Sequence, residues 1–175
     1  TQTNNRLASF VGSPRYGFYT GYSRGGVYVY VKSTAEQYTP VSPTGTSDAV
    51  LTLDVEYSSG VPAVRGLGSS LTFGNQTYGA TGAPASLGPT GSANNGVVGI
   101  IYKDPALGQA GVNPFVISQM LYQPGTTASY TPGAGEFGYS VAISNDERWL
   151  YVGAPGLNQV HAYGCVDWED QFQRN

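Results

Sequence analysis

Charged side chains are scarce in this sequence. Asp, Glu, Lys and Arg together make up 11% of its 175 residues, against about 25% in an average soluble protein. The formal net charge is −3, and no run of basic residues occurs. Binding to the phosphate backbone of a nucleic acid needs clustered Lys and Arg, so we expect no nucleic-acid partner.

Long apolar segments, cysteine and histidine are also rare. No apolar run approaches the roughly 18 residues of a membrane-spanning helix, and the polar residues 1–5 do not resemble a signal peptide. Cys165 is the single cysteine, so an internal disulfide is excluded. His161 is the single histidine, and the sequence offers no second histidine or cysteine pair to complete a zinc site with it. A Ser-His-Asp triad would have to use this one histidine, which lies in a strand-like run where a lone histidine is usually a packing or surface residue. We therefore expect no enzyme, no catalytic residue, no bound metal and no cofactor.

Glycine and tyrosine are abundant, with 25 and 14 residues, and the chain repeats itself. The segments Val11-Gly12-Ser13-Pro14, Thr81-Gly82-Ala83-Pro84 and Val152-Gly153-Ala154-Pro155 share one pattern at spacings of 70 and 71 residues. Upstream of the two later copies, residues 67–73 and 137–143 both read apolar-Gly-x-Ser-apolar-x-apolar. A near-constant spacing of this kind predicts a repeat architecture.

Each repeat contains at least three strand-like runs, and a fourth follows at residues 50–57 and 115–122. The second of these alternates poorly, so a short helix there is an alternative. Four strands per repeat are typical of a β-propeller blade. We therefore predict an all-β fold, a partial β-propeller of about two and a half four-stranded antiparallel blades, with a β-sandwich as the alternative. The predicted units are 1–66 (a partial first blade with an outer strand and linker), 67–136 (the second blade) and 137–175 (a partial third blade with a polar tail).

The repeated residues resemble those of the FG-GAP family. Residues 137–143 are similar to that family's opening strand and 152–155 to its second signature, while Leu67-Gly68 and 81–84 are degenerate versions. The resemblance implies a β-propeller like that of integrin α-subunit heads and of secreted adhesins. Similar repeats occur in bacteriophage structural proteins, which the low-charge, Tyr- and Gly-rich composition resembles more closely.

Many members of that family bind calcium between their first two strands, in an Asp-x-Asp/Asn-x-Asp-Gly loop that supplies oxygen ligands at alternate positions. The matching loops here are residues 74–77 and 144–147. The first has no carboxylate, and the second has two adjacent ones, Asp146 and Glu147. We therefore expect no calcium site, and Asp146 is the one ligand that such a site would use.

The repeated Gly-Ala-Pro residues are expected to be structural. Glycine permits a backbone conformation closed to other residues, alanine is small where a neighbouring blade approaches, and proline ends a strand ladder. The residues of the repeat signature are Gly12, Pro14, Gly68, Gly82, Pro84, Phe137, Gly138, Gly153 and Pro155.

One Gly-rich loop of the first unit carries a cluster of aromatic and basic residues. Loops carry binding in rigid β scaffolds, and tyrosine combines a large contact area with a polar tip. The loop is a candidate site for stacking on a sugar or docking a partner protein, and the alternative is that its side chains pack the loop on its neighbour. The candidate binding residues are Arg15, Tyr16, Phe18, Tyr19, Tyr22 and Arg24.

The resemblance favours a non-enzymatic structural or adhesion module of a larger surface assembly, foremost a phage virion or tail protein. Its expected partners are other protein chains in multiple copies, contacted through loops and sheet edges, and its expected location is extracellular or on a virion surface. A secreted glycan-binding or cell-adhesion propeller is the second hypothesis. A polysaccharide-active enzyme is the third, but the carboxylates Asp167, Glu169 and Asp170 crowd near the chain end and fit a partner-contacting tail better than a cleft.

Overall fold

A computed structural model describes residues 8–14, 18–19, 22–23, 25–32, 38–40, 50–51, 64–75, 77–87, 95–103, 115–124, 135–165 and 172–174. Within these segments the secondary structure is almost entirely β, with a single 3₁₀ turn at Pro155–Leu157. The strands are β1 (Ala8–Ser13), β2 (Phe18–Tyr19), β3 (Tyr22–Ser23), β4 (Gly26–Lys32), β5 (Tyr38–Pro40), β6 (Val50–Leu51), β7 (Ser70–Phe73), β8 (Tyr78–Ala83), β9 (Val97–Lys103), β10 (Phe115–Tyr122), β11 (Ser140–Ile143), β12 (Trp149–Ala154), β13 (Gln159–Cys165) and β14 (Phe172–Arg174).

The strands form three four-stranded antiparallel sheets and one small hairpin. In the first sheet, β4 pairs with β1 along one edge and with β5 and β6 along the other. The second sheet has the order β7-β8-β9-β10 and the third the order β11-β12-β13-β14, so in both of them chain neighbours are paired. The hairpin consists of β2 and β3. The chain is therefore an all-β protein, as the sequence predicts.

The segment Phe115–Tyr122 is a strand and not the helix left open as an alternative. As β10 it pairs with β9, and the register shifts between Ile117 and Gln119. A β-bulge of this kind inserts an extra residue into one strand of a pair. The inserted residue breaks the period of two, which explains why the alternation of this segment is weak.

The third sheet has a fourth strand that the predicted polar tail did not include. The strand β14 pairs with residues 163–165 of β13, so the third sheet has four strands. The three carboxylates of the tail, Asp167, Glu169 and Asp170, lie outside the described residues. Of the predicted fourth strand of the first unit, only Val50–Leu51 are described, as β6.

Each sheet has two faces because the side chains of a strand alternate between them. We name as the leading face the one on which the next sheet packs, and as the trailing face the one that packs on the previous sheet. The leading face of the second sheet includes Ala80, Val98 and Ile100. Its trailing face includes Leu71, Phe73 and Ile101. The second sheet is thus covered on both sides, and every residue of β8 is buried.

An apolar core joins the first sheet to the second. The side chains of Phe10, Val27 and Val29 on the leading face of the first sheet pack against the trailing face of the second. The ring of Phe10 stacks on that of Phe73 with their centroids 3.6 Å apart. It also meets the ring of Phe115 edge-on at 4.7 Å. Aromatic contacts of these geometries add to the stabilisation that burial alone provides.

A second apolar core joins the second sheet to the third. The buried members contributed by the third unit lie on its trailing face and in the turn before β11. They pack on Ala80, Val98 and Ile100 of the second sheet. Burial of this kind is the main favourable term in folding, and a chain with few charges depends on it heavily. The buried residues of the third unit in this core are Phe137, Leu150, Val152, Ala154 and Tyr163.

Two glycines allow consecutive sheets to touch backbone to backbone. A Cβ atom at Gly12 would collide with the carbonyl oxygen of Gly68, and one at Gly82 with the carbonyl oxygen of Gly138. Both pairs lie 56 residues apart, so the contact belongs to the repeat. Of the four glycines in these two pairs, the ones with left-handed φ are Gly68 (90°) and Gly138 (89°). The expected role of Gly12 and Gly82, an unusual backbone conformation, is therefore wrong, because these two positions need space instead.

We predict that Gly82→Ala lowers the free energy of unfolding by about 1–3 kcal/mol, because the added methyl group overpacks the junction. Gly153→Ala is the matched control at the same place in the third unit. A Cβ atom there would meet only Ser140, whose side chain can rotate away, so its effect should stay within about 0.5 kcal/mol. Urea unfolding measures both variants. Equal losses would show that the neighbouring sheet is not the reason for the glycine.

Candidate interaction surfaces

The candidate binding loop of the first unit contains a short hairpin. Its strands are Phe18–Tyr19 and Tyr22–Ser23, and Tyr19 is the register partner of Tyr22. A connection of two residues is the commonest form of a β-hairpin. The structure therefore brings Tyr19 and Tyr22 opposite each other in one compact element. Three of the predicted binding residues lie outside the described part of the chain: Arg15, Tyr16 and Arg24.

The signature residues lie where strands end and where sheets meet. Phe137 is buried in the core between the second and third sheets. The hydroxyl of Ser70 donates a hydrogen bond to the carbonyl oxygen of Gly138 at 2.8 Å, across the same junction. The three signature prolines directly follow the last residues of β1, β8 and β12, and they are Pro14, Pro84 and Pro155.

A carboxylate clasps the second sheet to the third at the hairpins that connect their first two strands. Glu147 accepts a hydrogen bond from the Thr77 N–H, at 2.9 Å to Oε1 and 3.0 Å to Oε2. It also accepts one from the Tyr78 N–H at 3.3 Å. A Cβ atom at Gly74 would collide with the Glu147 side chain, so the glycine makes room for it. We call this arrangement the Glu147 clasp.

Asp146, beside the clasp, serves its own hairpin. It accepts hydrogen bonds from the Ser144 hydroxyl and from the Arg148 N–H, the latter at 3.2 Å. The Ser144 hydroxyl in turn accepts a hydrogen bond from the Trp149 N–H at 3.0 Å. The bond from Ser144, followed by that from Arg148, holds the pKa of Asp146 below its ordinary value of 3.8. The carboxylate considered above as a calcium ligand is therefore a turn-stabilising acceptor in this structure.

His161 and Cys165, the only histidine and cysteine in the sequence, pack against the core between the second and third sheets. His161 is buried, and its ring meets that of Phe137 edge-on with centroids 5.4 Å apart. Cys165 is half-buried and packs against the core between the second and third sheets. In the part of the chain that the structure describes, no group of three or more His, Cys, Asp and Glu residues is placed to hold a metal ion.

The first and third sheets each leave one apolar face uncovered in the described part of the chain. On the leading face of the third sheet, Trp149 is 38% exposed, Tyr151 44% and Val160 72%. On the trailing face of the first sheet, Val11 is 52% exposed. Of the five large apolar side chains that are exposed among the described residues, four therefore belong to these two faces.

Sequence reasoning missed both the clasp and the exposed face of the third sheet. The face had a signal, because Trp149-Leu150-Tyr151-Val152 is a continuous apolar run, the pattern of a strand covered on both sides. The clasp had none. Glu147 accepts hydrogen bonds from Tyr78 and Thr77, which lie 69 and 70 positions earlier in the chain. No local sequence pattern indicates so distant a partner.

A comparison with models of known protein families found no match, and a comparison with curated protein sequences found none either. Within the described segments, no helix has the length and apolar character needed to cross a membrane.

Removing the clasp should destabilise the junction. We expect Glu147→Ala to cost about 1–3 kcal/mol of unfolding free energy, because two inward-facing N–H groups lose their acceptor. Glu136→Ala is the matched control, since Glu136 is exposed and shares the left-handed φ, 51° against 58° for Glu147. Denaturant unfolding measures both variants. A loss for Glu136→Ala as large as that for Glu147→Ala would contradict the clasp.

The stability of the chain should also fall in alkali through Tyr78. Burial, with smaller contributions from Cys165, Tyr102 and Glu147, raises the pKa of Tyr78 above its ordinary value of 10.0. The folded state therefore holds the proton more tightly than the unfolded state. The resulting stabilisation is complete below pH 10.0 and is lost as the pH rises towards the raised pKa.

We expect Tyr78→Phe to show a smaller alkaline loss of unfolding free energy than the wild type, because the phenol that ionises in the unfolded chain is gone. Tyr139→Phe is the control at an exposed tyrosine, and it should keep the wild-type loss. Urea unfolding over a series of alkaline pH values measures the difference. Identical pH profiles for Tyr78→Phe and the wild type would refute the assignment.

Proposed function

We propose that this chain is a non-enzymatic structural or adhesion module of a larger surface assembly, with a phage virion or tail as its setting. In this proposal the three sheets are blades of a partial β-propeller of the FG-GAP type. The module acts by presenting rigid loops and sheet faces to other protein chains. Its place is outside the cell or on the surface of a virion.

The observation that carries the proposal is a junction built twice to one design. Gly12 meets Gly68, and Gly82 meets Gly138, in each case between one sheet and the next. Repeat proteins are held together by such nearest-neighbour contacts, and the same contacts suit them to extension by further units. A chain of stacked sheets with few charged residues suits a scaffold role.

The packing of the sheets supports a propeller over a sandwich. In a sandwich each of two sheets is covered on one face, whereas here the second sheet is covered on both faces. The first strand of the third sheet, β11, also lies beside β7 and β8 of the second. A hydrogen bond of 3.3 Å from the Ile143 N–H to the Thr72 hydroxyl crosses there. First strands of consecutive sheets that lie side by side in this way fit blades arranged around an axis.

The hairpin of β2 and β3 supports an adhesive contribution. It lies in the loop that joins the paired strands β1 and β4, and loops of rigid β scaffolds are the usual place for binding. Tyr19 and Tyr22 are register partners in it. Tyrosine is enriched at recognition surfaces because it offers a large contact area at a low cost in side-chain entropy.

Imaging of the chain in its native source tests the proposal. An antibody against the chain should label intact particles or complexes, and a reconstruction should show many copies at regular positions, in contact with other protein chains. Recovery of the chain only as a free, soluble protein would contradict the structural role.

A glycan array distinguishes the second hypothesis, a secreted glycan-binding propeller. Under that hypothesis, the free chain binds a defined sugar, and Tyr19→Ala with Tyr22→Ala abolishes the signal while Tyr139→Ala keeps it. Under the structural role, the array remains blank or its signals are indifferent to the two loop substitutions.

A further inference from the structure

The two uncovered faces occupy matching places in the repeat. The register aligns the sheets, since Gly12 pairs with Val27, Gly82 with Val98 and Gly153 with Val160. Val160 in the third sheet therefore stands where Val27 and Val98 stand in the first and second. In those two sheets the valine is buried under the next sheet, whereas Val160 is exposed.

The rest of the leading face follows the same equivalence. Tyr151 stands at the place of Ala80, and Ala162 stands at the place of Ile100. Both residues of the second sheet are buried against the third sheet. The third sheet thus keeps an apolar surface at the positions that, in the two sheets before it, carry a neighbour.

The trailing face of the first sheet presents positions that, in the third sheet, pack on the sheet before it. Val11 and Tyr30 stand where Val152 and Tyr163 stand in the third sheet. Those residues of the third sheet are buried against the second sheet. In the first sheet Val11 is exposed, while the rings of Tyr28 and Tyr30 stack with their centroids 6.4 Å apart and are half-buried.

We infer that a second copy of this chain docks head to tail, with the trailing face of its first sheet on the leading face of the third sheet. The inference rests on the proposed structural role and names the surface and the partner through which that role is exercised. The two faces match in position: the third sheet presents the positions that are covered by a neighbour in the first two sheets, and the first sheet presents the positions that pack on a neighbour in the third. The side chains of Val11, Tyr28 and Tyr30 on one face and of Trp149, Tyr151 and Val160 on the other are uncharged, and tyrosine and tryptophan are enriched in protein interfaces.

The intermolecular junction lacks two features of the junction between the second and third sheets. The described part of the first sheet has no turn equivalent to the one at Gly138, so the glycine contact is absent. The hydrogen bonds of the Glu147 clasp are absent as well. The N–H groups of Arg148 and Trp149 correspond to those that Glu147 clasps in the second sheet. In the third sheet they bond to Asp146 and Ser144 of their own hairpin. With these donors already paired, the copies are held by their apolar faces alone, and the association is reversible.

A head-to-tail contact generates a ring if the rotation closes and an open filament if it does not. The described residues of two copies of this chain bring six such sheets together, within the 4–8 blades typical of closed propellers. The closed form we expect is therefore a two-chain ring with two identical junctions.

Sedimentation velocity of the full chain over a range of concentrations tests the inference. The wild type should convert reversibly from monomer to dimer. Val160→Lys, on one face, and Val11→Lys, on the other, should each weaken dimerisation by more than about tenfold, since a charge is placed in an apolar contact. Tyr139→Lys is the control at an exposed residue of the turn before β11, and it should dimerise as the wild type does.

Mixing the two variants is the decisive arm. A mixture of Val160→Lys and Val11→Lys chains retains one intact pair of faces, so it should form heterodimers although each variant alone is monomeric. A contact of like faces would instead leave one of the two variants fully dimeric, and that outcome overturns the inference. Circular dichroism checks folding, and Val160→Thr or Val11→Thr replaces the lysine variant at the same position if that variant fails to fold.

A wild type that stays monomeric at every concentration overturns the inference but not the proposed function. In that case, imaging of native particles still decides whether the chain belongs to an assembly built with other proteins. Conversely, a dimer in solution with no labelled particle in the native source would support the docking and contradict the surface role.

Discussion

Close contact between the backbones of consecutive sheets is the constraint on which the rest of this structure depends. It requires glycine at Gly12 and Gly82, and it requires the partner turn at Gly68 and Gly138 to present a carbonyl oxygen to the space that a side chain would fill. Once the backbones touch there, apolar side chains farther along the strands meet at packing distance. The ring of Phe10 on that of Phe73 is one result.

Because the chain has few charged residues, few ion pairs can join its sheets. The polar contacts between sheets are confined to a few places. The clasp depends on a single carboxylate, Glu147, held in a left-handed conformation with φ 58°. Such a conformation is uncommon outside glycine, and the bonds to Thr77 and Tyr78 offset its cost. The neighbouring Asp146 uses the same chemistry within one hairpin instead of between two.

The sequence predicted the features that depend on local period and missed those that depend on distant partners. Alternation and repeat spacing placed the strands around Gly82 and Gly153, because a strand pattern is readable within a few residues. The role of Gly82 was not readable in this way, since its neighbour Gly138 lies 56 residues away. The same holds for Glu147. The pairing of β14 was missed because a three-residue strand carries almost no periodic signal.

The distance in the chain between Glu147 and its partners also bears on synthesis. At roughly 5–20 residues per second, a ribosome completes Thr77 several seconds before Glu147 emerges. During that interval the second sheet can form from neighbouring hairpins, but its leading face has no cover, and nascent chains with open apolar faces are prone to aggregate. The strand β8, with the sequence Tyr-Gly-Ala-Thr-Gly-Ala, consists mostly of small residues. Until the third sheet forms, β8 therefore exposes little apolar surface.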